Sequence, residues 1–149
     1  MEHYKHILLT TDFSPHGLLV ADRAREIADS INAKLSIVHV VEFSPIIYGG
    51  GEFAVPLDVT IEETIEQQAR DGMNQQADRL NIVAPDRHLL TGSTKEEVVK
   101  LVKEIGADLL VVGGHDLHGL RLLFGSTANS ILHAMPCDVL TVRLEEDPA

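Results

Sequence analysis

The sequence predicts an α/β protein with an open, doubly wound, five-stranded parallel sheet. Two observations predict that class. Short apolar runs alternate with helical patterns in the order β-α-β-α-β-α-β-α-β. The runs are apolar on both faces, as strands covered by helices on both sides must be. The 149 residues show no internal repeat, low-complexity tract or composition break, so residues 1–149 read as one domain.

His6-Ile7-Leu8-Leu9-Thr10 is the first strand. Ser14 then offers an N-cap and Pro15 a first helical residue. Leu19, Ala21, Ala24, Ile27, Ala28 and Ile31 recur at helical spacing, so the helix runs to about Asn32. Residues 34–41 form the second strand, and a parallel pair joined by a crossover helix is a right-handed βαβ unit. Residues 42–58 carry Pro45, Gly49, Gly50, Gly51 and Pro56, a long loop of the functional or mobile kind.

A helix is expected over residues 60–80, with Ile61, Ile65, Ala69, Met73 and Ala77 on one face, continued by Leu80 and Ile82. Residues 87–91 are a weaker third strand. Ser93 reads as the next N-cap, with Glu96 at the capping-box position. Val98, Val99, Leu101, Val102 and Ile105 make that helix's stripe, and Gly106 its C-terminal glycine. Residues 109–112 are the fourth strand. A last helix is expected from Ser126 to about His133, with Pro136 as its stop, and a fifth strand over residues 138–144.

A net charge of −11 argues against a nucleic-acid surface, whose affinity comes from clustered Lys and Arg. No apolar run approaches the roughly 18 residues of a membrane span. No signal-peptide architecture precedes the first strand, so the expected compartment is the cytoplasm. The single Cys137 agrees with a reducing compartment and reads as a packed thiol.

Ligands of open α/β sheets bind beyond the carboxyl ends of the strands, where strand order reverses. Two segments there stand out. One is the turn Thr10-Thr11-Asp12. The other follows the fourth strand: Gly113-Gly114-His115-Asp116, then Gly125-Ser126-Thr127 entering the last helix. A glycine turn and a Gly-Ser step into a helix suit phosphates, because the first N–H groups of a helix lack intrahelical partners. Asp12 also fits a turn or capping role. His115 and His118 lack the further ligands of a metal site. Arg121 suits either a phosphate contact or a solvated helix face. Ser126 lacks the Gly-x-Ser-x-Gly elbow of a nucleophile. His39, inside a strand, reads as a satisfied core or edge histidine.

Several of these blocks together resemble a universal stress protein of the UspA type. They are residues 6–14, Val38-His39-Val40, Gly113-Gly114-His115, Leu123 to Ala128, and residues 135–143. The match spans nearly the whole chain in order, and its C-terminal block is the specific part. The resemblance implies strand order 3-2-1-4-5 and the adenine nucleotide alpha hydrolase-like, flavodoxin-like three-layer sandwich. It also implies a homodimer through the last strand, from Val139 to Leu144, and a cytoplasmic stress role.

Family members that bind ATP carry a glycine, two residues, a second glycine, about nine residues, then Gly followed by Ser or Thr. By that resemblance adenine and ribose lie near Thr10, Asp12 and the Val40 backbone, and phosphates lie on Gly113, Gly125, Ser126 and Thr127; Thr11, Gly114, His115 and Asp116 belong to the same candidate cofactor site. This sequence departs from the pattern in two ways. Asp116 stands at the second glycine, and the spacer is one residue shorter.

A carboxylate about 4 Å from a phosphate charge costs about 4 kcal/mol at an effective dielectric near 20. A Mg²⁺ ion bridging Asp116 to phosphate reverses the sign. The departure therefore leaves two outcomes: metal-assisted binding of ATP or another adenine nucleotide, or a nucleotide-free dimeric interaction protein. No residue pattern positions a nucleophile or general base, so no enzyme is expected and any ATP hydrolysis should be slow.

Overall fold

In the computed structural model, the described residues are 3–42, 59–113 and 134–143. They form one five-stranded parallel sheet in the order β3-β2-β1-β4-β5. The strands are β1 (His6–Thr10), β2 (Lys34–Val41), β3 (Arg87–Thr91), β4 (Leu109–Gly113) and β5 (Asp138–Val142). The helices are α1 (Pro15–Ile31), α2 (Val59–Arg79) and α3 (Thr94–Ile105). Strand order and class agree with the sequence reading. The expected last helix lies outside the described residues, as does Leu144. The fifth strand is seen only to Val142.

Strand alternation explains why the runs are apolar throughout. Ile7 and Leu9 point into a core shared with α1 and α2, while Leu8 points into a second core shared with α3; all three are fully buried. Central β1 is covered on both faces, whereas β3 at the edge is only half-buried.

The α1 boundaries follow local chemistry. The Ser14 hydroxyl accepts from the Gly17 N–H at 3.0 Å, and Asn32 closes the helix in the left-handed conformation at φ 56°. Its buried stripe is Val20, Ala21, Ala24 and Ala28. Leu19 is not part of it and is 55% exposed. One residue is about 100° of helical rotation, which carries Leu19 off the stripe that Val20 begins. On α2, Ala69, Met73 and Ala77 are buried as expected, while Ile61 in the first turn is 47% exposed.

The expected capping box at α3 does not form. The Ser93 side chain makes no cap bond. Instead the Glu42 carboxylate, arriving from the end of β2, accepts from the Thr94 N–H at 2.6 Å. Gly106 ends α3 at φ 69°, as expected.

The amino edge of the sheet is closed by its own hydrogen bonds. The Asp108 carboxylate accepts from the Lys5 and His6 N–H groups at 2.9 and 3.0 Å. His6 Nδ1 meets the Ile105 carbonyl at 3.2 Å, so Nδ1 donates, and Nε2 accepts from the buried Ser36 hydroxyl at 2.7 Å. Burial holds the His6 imidazole below the usual histidine range, in keeping with that neutral form.

Candidate functional site

The carboxyl edge is built differently. Parallel pairing sets Leu9 beside Val111 and Thr10 beside Val38, so the turn after β1 emerges between the ends of β4 and β2. This is where strand order reverses, and where α/β sheets open a crevice.

Within the turn, side chains replace strand pairing. The Thr11 N–H still donates to the Val38 carbonyl at 3.1 Å. A continued ladder would next run from the Val40 N–H to the Thr11 carbonyl, and from the Phe13 N–H to the Val40 carbonyl. Neither group follows it. The Thr11 carbonyl accepts from His39 Nδ1 at 2.6 Å, and the Phe13 N–H donates to the Thr11 hydroxyl at 3.2 Å. Lys34 donates toward β1 while Val41 accepts from Gly92 beyond β3, so alternation directs the Val40 backbone toward β1. Among the described residues, the Val40 N–H and carbonyl have no ladder partner on that side. The Val40 side chain is buried with α3, which leaves its backbone as the group it can offer.

Asp12 is exposed at the tip of the turn. Its Oδ1 accepts from the Ser14 N–H at 2.9 Å and from the Ser14 hydroxyl at 2.6 Å. Because that hydroxyl accepts from Gly17, the three groups form one chain into the first turn of α1. A carboxylate there also faces the positive end of the helix dipole. A side chain at position 17 would displace Asp12, since its Cβ would lie 2.7 Å from Asp12 Oδ1. The Thr10 hydroxyl donates to the Val111 carbonyl at 3.4 Å and ties β1 to β4.

Phe13 holds this turn in place. Its backbone is left-handed at φ 63°, and its ring lies 4.4 Å from the His39 ring. The other flank is Gly72 of α2, where a Cβ would come within 3.0 Å of the Phe13 ring. Sequence reasoning passed over Phe13 and placed His39 only as a satisfied strand histidine. The structure makes His39 the residue that turns β1 away from β2. The legible signal was a lone imidazole in an otherwise apolar run.

Gly113 ends β4 beside Val142. A Cβ there would lie 3.0 Å from Val20 Cγ2, so β4 and α1 pack closely at this point. The structure thus brings Thr10, Thr11, Asp12, Val40 and Gly113 to one edge. Gly114, His115, Asp116, Gly125, Ser126 and Thr127 lie outside the described residues, as does residue range 43–58 of the long loop. Among the described residues no cluster of three His, Cys, Asp or Glu side chains is placed to hold a metal, and no described helix is long and apolar enough to cross a membrane.

Residues 3–143 match the sequence profile of the universal stress protein family. Universal stress protein A homolog 1 of Coxiella burnetii is 46% identical over 97% of this chain and 99% of its own length. Homolog 2 of the same organism is 34% identical, over 97% and 99%. UspA from Lactobacillus plantarum superposes with a TM-score of 0.70 at 25% identity, covering 96% of this chain and 100% of that one. A universal stress protein solved in complex with cAMP superposes at 0.66 and 26% identity, covering 95% and 98%.

Proposed function

Given that the chain belongs to the universal stress protein family, we propose that it is a dimeric, cytoplasmic stress-response module that binds ATP or another adenine nucleotide at the carboxyl edge of the sheet. The observation that carries this reading is the Val40 backbone. Its N–H and carbonyl are a donor beside an acceptor, released from β1 by His39 and the Thr11 hydroxyl. Adenine presents the complementary set, an exocyclic N–H donor beside ring-nitrogen acceptors. A relative 26% identical to this chain holds cAMP, itself an adenine nucleotide, which supports the choice of base. Asp12, exposed beside that edge, would meet ribose hydroxyls. The phosphates would fall to Gly113 and to Gly114, His115, Gly125, Ser126 and Thr127, with Mg²⁺ offsetting the charge of Asp116.

Turnover is not part of the proposal. Asp12 Oδ1 is engaged by Ser14, and His39 Nδ1 by the Thr11 carbonyl. Calorimetric titration with ATP, with and without Mg²⁺, tests the reading. Binding that strengthens with Mg²⁺ and shifts the Val40 amide resonance is expected. Absence of heat in both buffers refutes it.

Two observations favour a second reading, a nucleotide-free dimeric interaction protein. Asp12 Oδ1 already serves the turn, and Gly113 already packs closely against Val20. Mass spectrometry of freshly purified, denatured protein separates the two readings, because a co-purifying adenine nucleotide counts against the second.

A further inference from the structure

The amino edge of the sheet holds a side-chain cluster that plays no part in the proposed nucleotide site. Alternation along β1 turns His6 to the same face as Leu8, toward α3. There its ring joins two further elements. Nδ1 lies 3.2 Å from the Ile105 carbonyl in the last turn of α3, and Nε2 lies 2.7 Å from the Ser36 hydroxyl of β2.

The direction of each bond follows from what the partners can do. A carbonyl only accepts, so Nδ1 carries the ring proton. Nε2 is then an acceptor, and Ser36 donates to it. Ser36 is 0% exposed, and among the described residues its hydroxyl has no other partner. A second ring proton would sit on Nε2. Ser36 would then have to accept, and its own proton would be buried without an acceptor, an arrangement that native proteins seldom keep.

The surrounding charges do not offset that loss. Asp86, in the short 3-10 turn Ala84–Asp86, pairs with Lys34 of β2 at 3.1 Å. The Asp108 carboxylate is taken up by the Lys5 and His6 N–H groups. Burial, and after it the Lys34 ammonium, disfavours the charged His6 ring and outweighs the Ile105 carbonyl, Asp86 and Asp108, which favour it. His88 of β3 is half-buried nearby and is also held below the ordinary histidine range by burial, against the pull of Asp86 and of Glu104 on α3. Its protonation adds a like charge.

We propose that His6 and Ser36 form an acid-released latch that ties β1 and β2 to the end of α3: a proton taken from solvent onto Nε2 turns Ser36 from donor to acceptor, strands its hydroxyl proton and loosens the amino edge. The latch does not depend on nucleotide binding. In the unfolded chain the imidazole takes its proton near pH 6.5, and in the folded protein it does so at lower pH. The latch is therefore intact at neutral pH and is lost as pH falls from about 6.5 through the folded value.

NMR of the intact protein tests this. At neutral pH the imidazole ¹⁵N spectrum should show His6 with a proton on Nδ1 and none on Nε2, and the ring should titrate below the ordinary value. Amide exchange, corrected for its intrinsic pH dependence, reads the release. The Lys34 and Asp108 N–H groups donate to the Lys5 and His6 carbonyls, so they report on this edge. Their protection should fall about tenfold between about pH 7.5 and about pH 5.5. His6→Gln, which takes no proton, should hold its protection level over that range. A wild-type ring that titrates at or above the ordinary value overturns the proposal, and so does wild-type protection that ignores pH. Those two measurements decide the matter even if His6→Gln does not fold. An equal loss of protection in folded His6→Gln overturns it as well and assigns the loss to other groups.

Discussion

At the scale of single residues, the turn after β1 depends on what is missing at position 17. Glycine inside a helix normally costs about 1 kcal/mol relative to alanine. Here the sign should reverse, because an alanine Cβ would stand 2.7 Å from Asp12 Oδ1 and push the carboxylate off Ser14. Gly17→Ala should destabilise the protein by about 1–2 kcal/mol in urea unfolding, on the scale of a lost cap. Asp12→Ala removes the obstructing oxygen, so adding Gly17→Ala in that background should stabilise. The double-mutant cycle isolates the contact; additive effects would show that Gly17 is not there for Asp12. These residues also mark where the sequence could be read. Ser14-Pro15 announced a helix start in plain terms. The left-handed Phe13 did not, because a bulky aromatic residue is a poor signal for that conformation.

At the scale of elements, boundaries set by neighbouring residues were legible and those set from a distance were not. Gly106 and Asn32 terminate α3 and α1 through their own left-handed backbones, which sequence states directly. The start of α3 looked equally local, with Ser93 and Glu96 in capping-box spacing. The cap instead comes from Glu42, 52 positions earlier, whose carboxylate reaches the Thr94 N–H because β2 and β3 end side by side. No spacing rule relates those two residues. Glu42→Ala should therefore cost about 1 kcal/mol and fray the first turn of α3. Ser93→Ala should cost a few tenths at most. Denaturant midpoints of the two variants decide the matter, and a larger loss at Ser93 would restore the local box.

At the scale of the whole molecule, the two edges of the sheet are unequal, and that inequality locates the candidate site. The amino edge is closed by Asp108, His6 and Ser36, while the carboxyl edge carries a turn whose side chains divert β1 from Val40. Sequence pattern gave the crevice through strand order; the release of the Val40 backbone needed coordinates, because it depends on a histidine one strand away. The same topology leaves β5 outermost. It pairs with β4 on one side, and among the described residues no strand pairs with its other side. A short β-branched edge of this kind is an aggregation hazard, and pairing with its copy in a second chain removes it. Proline tests this by direction. Successive residues of a strand point their N–H groups to opposite sides, so Leu140 and Thr141 cannot both face β4. One of the single variants Leu140→Pro and Thr141→Pro should lose a ladder bond within the chain and lower Tm. The other should keep its fold by circular dichroism and elute as a monomer in light-scattering chromatography. Two folded variants that remain dimeric would remove β5 from the interface, and a monomeric wild-type protein would remove the dimer.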